Sequence, residues 1–193
     1  MSNALTIYLG LLVAVALQRL LELGIAGRNS KRLLSLGAQE EAPGHYGAMR
    51  LLHGAWLVFC GVEAVWREVP PPLWMIVVGL AGLAIGQLLR ACAMLTLGRR
   101  WTTRILVVPW LPPVTGGIYR WVRHPNYLGV ILEIAALPLI YGSVVTAIAF
   151  TVANLVLLLC VRIPAEEAAL VRVNSESTYF NGRGRFIAQR SNP

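Results

Sequence analysis

The sequence has no aspartate and a single lysine, Lys31, among its 193 residues. Its acids are all glutamate and nearly all its cations are arginine. Charged residues make up only 13% of the chain, against about 25% in soluble domains. That shortage excludes an ordinary soluble globule, as do an apolar share of 56% and a mean hydropathy of +0.63. Cysteine is scarce. Cys60, Cys92 and Cys160 lie in apolar runs without a CxxC partner, so they read as small buried hydrophobes and not as a redox or zinc motif. No GxSxG, HExxH or P-loop pattern occurs, which argues against hydrolase and nucleotidase chemistry. The first residues lack the basic region and small-residue cleavage site of a signal peptide, so the first apolar run reads as a retained span.

What the chain has is long apolar runs. They cover Ala4–Ala26, Leu51–Trp66, Leu73–Leu97, Tyr127–Tyr141 and Ser143–Ile163. A helix needs about 20 residues to cross the hydrocarbon core. The fourth run is short unless Pro125 and its neighbours extend it, and with Gly142 and Ser143 as its tip it forms a tight hairpin with the fifth. The expectation is an all-α integral membrane protein with five transmembrane helices in a single domain spanning residues 1–193. Residues 177–193 form a polar basic tail.

The net charge of +8 is spread between the apolar runs, which suits a membrane face better than nucleic acid. Arg28, Lys31 and Arg32 are expected in the first loop. Arg99, Arg100, Arg104, Arg120 and Arg123 follow the third run, and Arg172, Arg183, Arg185 and Arg190 lie near the C-terminus. The opposite side offers little beyond Arg67. The positive-inside rule then places the N-terminus outside and the C-terminus in the cytoplasm of a bacterial inner membrane.

Ionisable residues inside spans are functional candidates by default. Gln18, Arg19 and Glu22 share a stripe of the first helix, as a snorkelling ion pair or a substrate gate. Glu63, Arg90 and Glu133 sit in later spans. Glu133 is expected to face the bundle and meet an arginine, either structurally or beside a ligand. Gly79, Gly82 and Gly86 offer a close helix contact. His45 and His53 flank the start of the second helix without further metal ligands nearby. They are candidates for handling a proton or orienting a substrate, or are simply hydrogen-bonded at the interface. Arg162 and Glu166, four apart, share a helix face, and Glu167 points elsewhere. Two acids beneath the membrane could hold a cation.

The stretch "GIYRWVRHPNYLG", followed about forty residues later by "RIPAEE", resembles the isoprenylcysteine carboxyl methyltransferase family and is also similar to the membrane phospholipid N-methyltransferases. The resemblance covers roughly Leu97–Leu170. It implies an integral-membrane enzyme that uses S-adenosylmethionine without a Rossmann domain. It places the cofactor against Tyr119, Arg123, His124, Pro125, Asn126, Tyr127 and Glu166, with Leu111, Pro112, Pro113 and Val114 as a preceding loop. Arg162 falls on the substrate-contacting arginine. The front half, "RNSKRLLSLGAQEEAPGHYGAMRLLHGAW", is similar to a bacterial subgroup that accompanies type III polyketide synthases and O-methylates alkylpyrones or alkylresorcinols. The implied acceptor is such a polyketide, with a prenylcysteine or another lipid as the alternative.

These residues suit that chemistry. Arginine or histidine can hold the cofactor's carboxylate, a glutamate its ammonium or ribose, and tyrosine faces its sulfonium. Pro125 suits the first turn of the helix it opens. Arg162, His53 and His45 are the candidate catalytic residues, Arg162 orienting the acceptor and a histidine serving acceptors that must lose a proton. The implied partners are a lipophilic small molecule and membrane lipids, with no nucleic acid and no metal.

Overall fold

A computed structural model describes residues 2–67, 69–174 and 185–186. Six α-helices carry the described residues: α1 Asn3–Ser35, α2 Tyr46–Trp66, α3 Leu73–Leu97, α4 Pro125–Leu139, α5 Val144–Leu157 and α6 Ile163–Asn174. A π-helical turn, Leu158–Arg162, joins α5 to α6 without a break. Four of the resulting rods are long and apolar enough to cross a membrane, and α4 is a shorter apolar helix. The protein is an all-α integral membrane protein. Within the most apolar window of each long rod only 17–22% of residues are buried, and the rest of that surface is left to lipid.

The helix ends follow local chemistry. The Ser2 hydroxyl accepts from the Leu5 amide at 3.2 Å and caps α1. Gly98 stops α3 at a φ of 51°, a conformation that favours glycine. Pro125 occupies the first turn of α4, where no amide partner is missed. Pro138 lies inside α4 and leaves the carbonyl four residues earlier, on Ile134, without its helical donor. Trp56 of α2 fills that vacancy with its indole N–H at 3.2 Å. Tyr8 of α1 donates to the Leu137 carbonyl at 3.2 Å, which also takes the Ile140 amide at 3.3 Å. In lipid an unpaired backbone group has no water to turn to, so these two side chains tie α1 and α2 to α4.

The closest helix pair is α3 with α4. A Cβ on Gly82 would sit 2.8 Å from the Ala136 methyl, and one on Gly79 would sit 2.9 Å from the Ala136 carbonyl oxygen. The small-residue stripe therefore packs inside one chain. The apolar core beside it gathers Tyr8, Leu12, Trp56, Cys60, Ile134 and Leu137.

Two boundaries differ from the sequence expectation. Arg28, Lys31 and Arg32 are not in a loop but in the last turns of α1. Arginine and lysine are good helix formers, and the extension has a use, because Asn29 donates to the Trp101 carbonyl at 2.8 Å and anchors the loop after α3. The second helix begins at Tyr46, not Leu51. A two-residue pairing also appears: β1 Gln39–Glu40 runs antiparallel to β2 Leu106–Val107. It draws the α1–α2 and α3–α4 connections together over one end of the bundle. The tail over 177–193 lies outside the described residues except for Arg185 and Phe186.

Candidate functional site

The His124–Pro125 corner opens α4 and points Tyr127 at the start of α6. The Tyr127 hydroxyl donates to Glu166 and accepts from Arg162 Nε at 2.9 Å. Arg162 is held on two further sides. Its Nη2 donates to the Thr103 carbonyl at 2.7 Å, and its Nη1 lies 3.0 Å from His45 Nε2. Arginine has only donors, so His45 accepts at Nε2. The guanidinium is buried, at 4% exposure for the residue, and its planar fork is aimed by three separate segments of chain. Arg162 ends the π-turn, and Glu166, four residues on, reaches the same Tyr127 hydroxyl.

Glu167 lies to one side of this cluster. It accepts from Arg185 at 2.6 Å, from Arg123 at 3.4 Å and from His124 Nε2 at 3.2 Å. The His124 amide donates to the Arg185 carbonyl at 3.1 Å, and the His124 and Tyr127 rings stack with centroids 5.4 Å apart. The His-Pro corner is thus braced from α6 and from Arg185.

A cavity of about 530 Å³ begins at this cluster, a size typical of small-molecule sites. Leu111, Pro113, Val114, Tyr119, His124, Asn126, Tyr127 and Glu166 line its polar end, and Arg162 and Arg100 stand on the same wall. Pro112, Arg123 and Pro125 are not on that wall. The Pro112 carbonyl accepts from Arg100 at 2.7 Å, Arg123 turns to Glu167, and Pro125 is packed inside the corner it forms. From there the cavity runs between α1 and α2, past Trp56, Leu57, Ala16, Leu20 and Val130. Leu20 is 64% exposed, so this end reaches the surface that meets lipid.

The histidines differ in their surroundings. His45 is engaged with Arg162. His53 lines the cavity, and its Nδ1 is 2.8 Å from the Met49 carbonyl. A carbonyl can only accept, so Nδ1 carries the proton and Nε2 is the ring's acceptor.

Four of the intramembrane charges form one cluster. Arg19 donates to Glu22 at 2.8 Å and to Glu133. Arg90 donates to Glu22 and lies 3.4 Å from Glu133. The ring alternates in sign and joins α1, α3 and α4. Gln18 supports Glu22 at 3.0 Å and exchanges hydrogen bonds with Gln87. Arg19, Glu22 and Arg90 also stand on the cavity wall. Glu63 has a different task, as its carboxylate caps α5 by accepting from the Val145 and Thr146 amides at 3.2 and 2.7 Å.

Sequence reasoning missed the roof of the cavity. Trp101–Val108 lines it, Thr103 supplies the carbonyl for Arg162, and Tyr46 bonds the Thr103 hydroxyl at 3.0 Å. Arg104 lies over the Tyr46 ring at 5.0 Å and pairs with Glu40 at 2.8 Å. The nearest signal was the position of Tyr46 next to His45.

The model of the isoprenylcysteine carboxyl methyltransferase family matches residues 77–172. An uncharacterized protein of Bacillus subtilis (strain 168), YpbQ, is 37% identical over 161 residues, 83% of this chain and 95% of that protein. The chain belongs to the isoprenylcysteine carboxyl methyltransferase family. It is an integral-membrane methyltransferase. The protein-S-isoprenylcysteine O-methyltransferases of Homo sapiens and Xenopus laevis are 33% and 32% identical to it. Those matches cover 39% of this chain and 27% of each enzyme, so the chain spans about a quarter of their length. The stretch matched by the family model runs from α3 into α6 and contains the whole Tyr127–Arg162–Glu166 cluster. Helices α1 and α2, which bring Arg19, Glu22 and His53 to the cavity, lie before it.

Proposed function

We propose that this methyltransferase takes its methyl group from S-adenosylmethionine bound at the polar end of the cavity and transfers it to an oxygen of a lipophilic acceptor lying in the apolar end. One observation carries the reading: a single cavity joins the Tyr127–Arg162–Glu166 cluster to the lipid-facing surface between α1 and α2.

The residues at the polar end suit that cofactor. Asn126 Oδ1 is buried and has no hydrogen-bond partner among the described residues, an open acceptor for an amino or ammonium group. Glu166 can take an ammonium or a ribose hydroxyl. Arg100, on the same wall, can meet a carboxylate. Tyr119 and Tyr127 offer aromatic faces to a sulfonium. When bound, the cofactor supplies an electrophilic methyl group.

The chain's own work is alignment and exclusion of water. Arg162, fixed by Thr103, His45 and Tyr127, orients an anionic oxygen. A lipid carboxylate is already ionised near neutrality, so no base is needed. An isoprenylcysteine-type carboxylate is therefore the leading acceptor, supported by the names of the animal relatives. A hydroxypyrone or resorcinol is the second reading, and His53 favours it. Its Nε2 acceptor on the cavity wall suits an acceptor that must give up a proton. The arginines around the polar end favour a cytoplasmic site in a bacterial inner membrane, with the N-terminus outside.

The test is methyl transfer from radiolabelled S-adenosylmethionine by the detergent-purified chain. Parallel reactions contain S-farnesyl-N-acetylcysteine, an alkylpyrone and an alkylresorcinol. Label in the farnesyl compound supports the leading reading, and label in the ring compounds alone replaces it with the second. Failure to bind S-adenosylhomocysteine would overturn the cofactor assignment.

A further inference from the structure

The ring of Arg19, Glu22, Arg90 and Glu133 does more than hold helices together. The α3–α4 seam is already closed by glycine, and α1 is already tied to α4 through Tyr8. Burying four charges carries a desolvation penalty that ion pairing only partly offsets. Three members of the ring face the chamber assigned to the acceptor. The Arg19 side chain keeps 15% exposure. Two of its N–H groups are taken by Glu22 and Glu133, out of the five a guanidinium carries.

Two arginines and two glutamates sum to zero. A second anion brought here would find no uncompensated cation, so the ring is poorly suited to a carboxylate or a phosphate. What it offers is a donor edge, on Arg19. His53 lines the same chamber and offers an acceptor, Nε2, because Nδ1 is tied to Met49. A donor and an acceptor bordering one apolar chamber match an amide or a hydroxyl.

We infer that the Arg19–Glu22–Arg90–Glu133 ring and His53 form a recognition site for an uncharged polar group of the acceptor, an amide or a hydroxyl, apart from the oxygen that receives the methyl. This rests on the reading that the cavity takes the acceptor. The site would then select acceptors that carry a second polar function, and it lies largely on helices before the stretch that the family model matches.

Two probes test it. S-farnesyl-N-acetylcysteine and S-farnesyl-3-mercaptopropionate share a prenyl chain and a carboxylate and differ by the acetamide. Their binding to the full chain is measured calorimetrically in detergent without cofactor, so the result does not depend on the S-adenosylmethionine assignment. The wild type is expected to bind the acetamide compound about tenfold more tightly, the effect of one well-made buried hydrogen bond. The double variant Arg19→Gln with Glu133→Gln removes one charge of each sign and should erase that difference while S-adenosylhomocysteine still binds. Equal affinities in the wild type, or a preference that survives in the double variant, would overturn the inference. If the double variant does not fold, His53→Leu carries the same comparison with the same two outcomes. If neither farnesyl probe binds, pentadecylresorcinol against pentadecylphenol repeats the test for the second acceptor class. Equal or absent binding there sinks the subsite as well.

Discussion

Gly86 and Gly129 face each other across the α3–α4 seam. A Cβ added to Gly86 would lie 2.8 Å from the Gly129 carbonyl oxygen, and one added to Gly129 would lie 2.7 Å from the Gly86 carbonyl oxygen. Neither clash can be relieved by a flexible side chain, since both partners are backbone. Gly86→Ala and Gly129→Ala should each destabilise the protein by about 1–3 kcal/mol, the usual range for overpacking. Gly24→Ala on α1, with nothing within 4 Å, should leave the melting temperature unchanged or slightly raised. Thermal unfolding in detergent, followed by circular dichroism, compares the three. A Gly86→Ala protein as stable as wild type would mean that α3 and α4 do not approach this closely.

Arg162 and Glu166 share Tyr127 but should fail differently. Glu166→Gln keeps the shape of the side chain and removes its charge, so S-adenosylhomocysteine affinity should fall about tenfold, the usual cost of a charge-assisted hydrogen bond. Arg162→Lys keeps the charge and loses the fork that reaches Tyr127 and Thr103. Acceptor turnover should drop about 100-fold with cofactor affinity nearly intact. Parallel titration and initial-rate measurements separate the two. Cofactor binding lost in the arginine variant would reverse the roles.

Glu63 is expected to matter for stability alone. It satisfies two amides of the first turn of α5 and also takes the Thr146 hydroxyl at 2.6 Å. Glu63→Ala should lose about 1–2 kcal/mol, as helix caps do. It lies at the end of the bundle away from Tyr127, so S-adenosylhomocysteine affinity should not move. A calorimetric melt and one titration settle both halves.

The two histidines divide by acceptor. His53→Gln should cut turnover of a hydroxyl acceptor about 100-fold or more while leaving a carboxylate acceptor within a few-fold. His45→Gln keeps a side-chain oxygen that can accept from Arg162 and should be mild for both. If His53→Gln slows both acceptors equally, His53 shapes the chamber and handles no proton.

The residues told much of this in advance, and unevenly. The limits Leu73 and Leu97 of the third helix were legible because a long, mostly apolar run lies between Pro72 and Gly98. The Arg19–Glu22 pair followed from helical spacing. Glu133 had to meet an arginine, because an unpaired carboxylate in lipid is untenable, and it met Arg19 and Arg90. The start of α2 was not legible, since Tyr46–Arg50 is polar enough to read as loop and only its contacts with Thr103 and Arg104 fix it. Nor was the cap formed by Glu63, which serves a helix more than eighty residues away and so leaves no local pattern. The roof loop escaped for a similar reason. Its contribution to Arg162 is a backbone carbonyl, and every residue has one.

The π-turn at Leu158–Arg162 sets a phase. Each residue of an α-helix advances about 100° around the axis, and a π-turn admits one more residue than the α-helical count. Before it, Thr146, Ala147 and Asn154 point into the bundle. At its end and after it, Arg162, Ile163 and Ala169 do. The rod therefore carries two angular registers on one continuous axis, one matched to the membrane core and one to the chemistry at its edge. Deleting a single leucine from this turn would barely alter how well the rod sits in lipid. It would take out the extra residue, return the rod to the α-helical count and leave Glu166 near Tyr127, whereas deleting Ala165, beyond the turn, would swing Glu166 round the axis by about 100°.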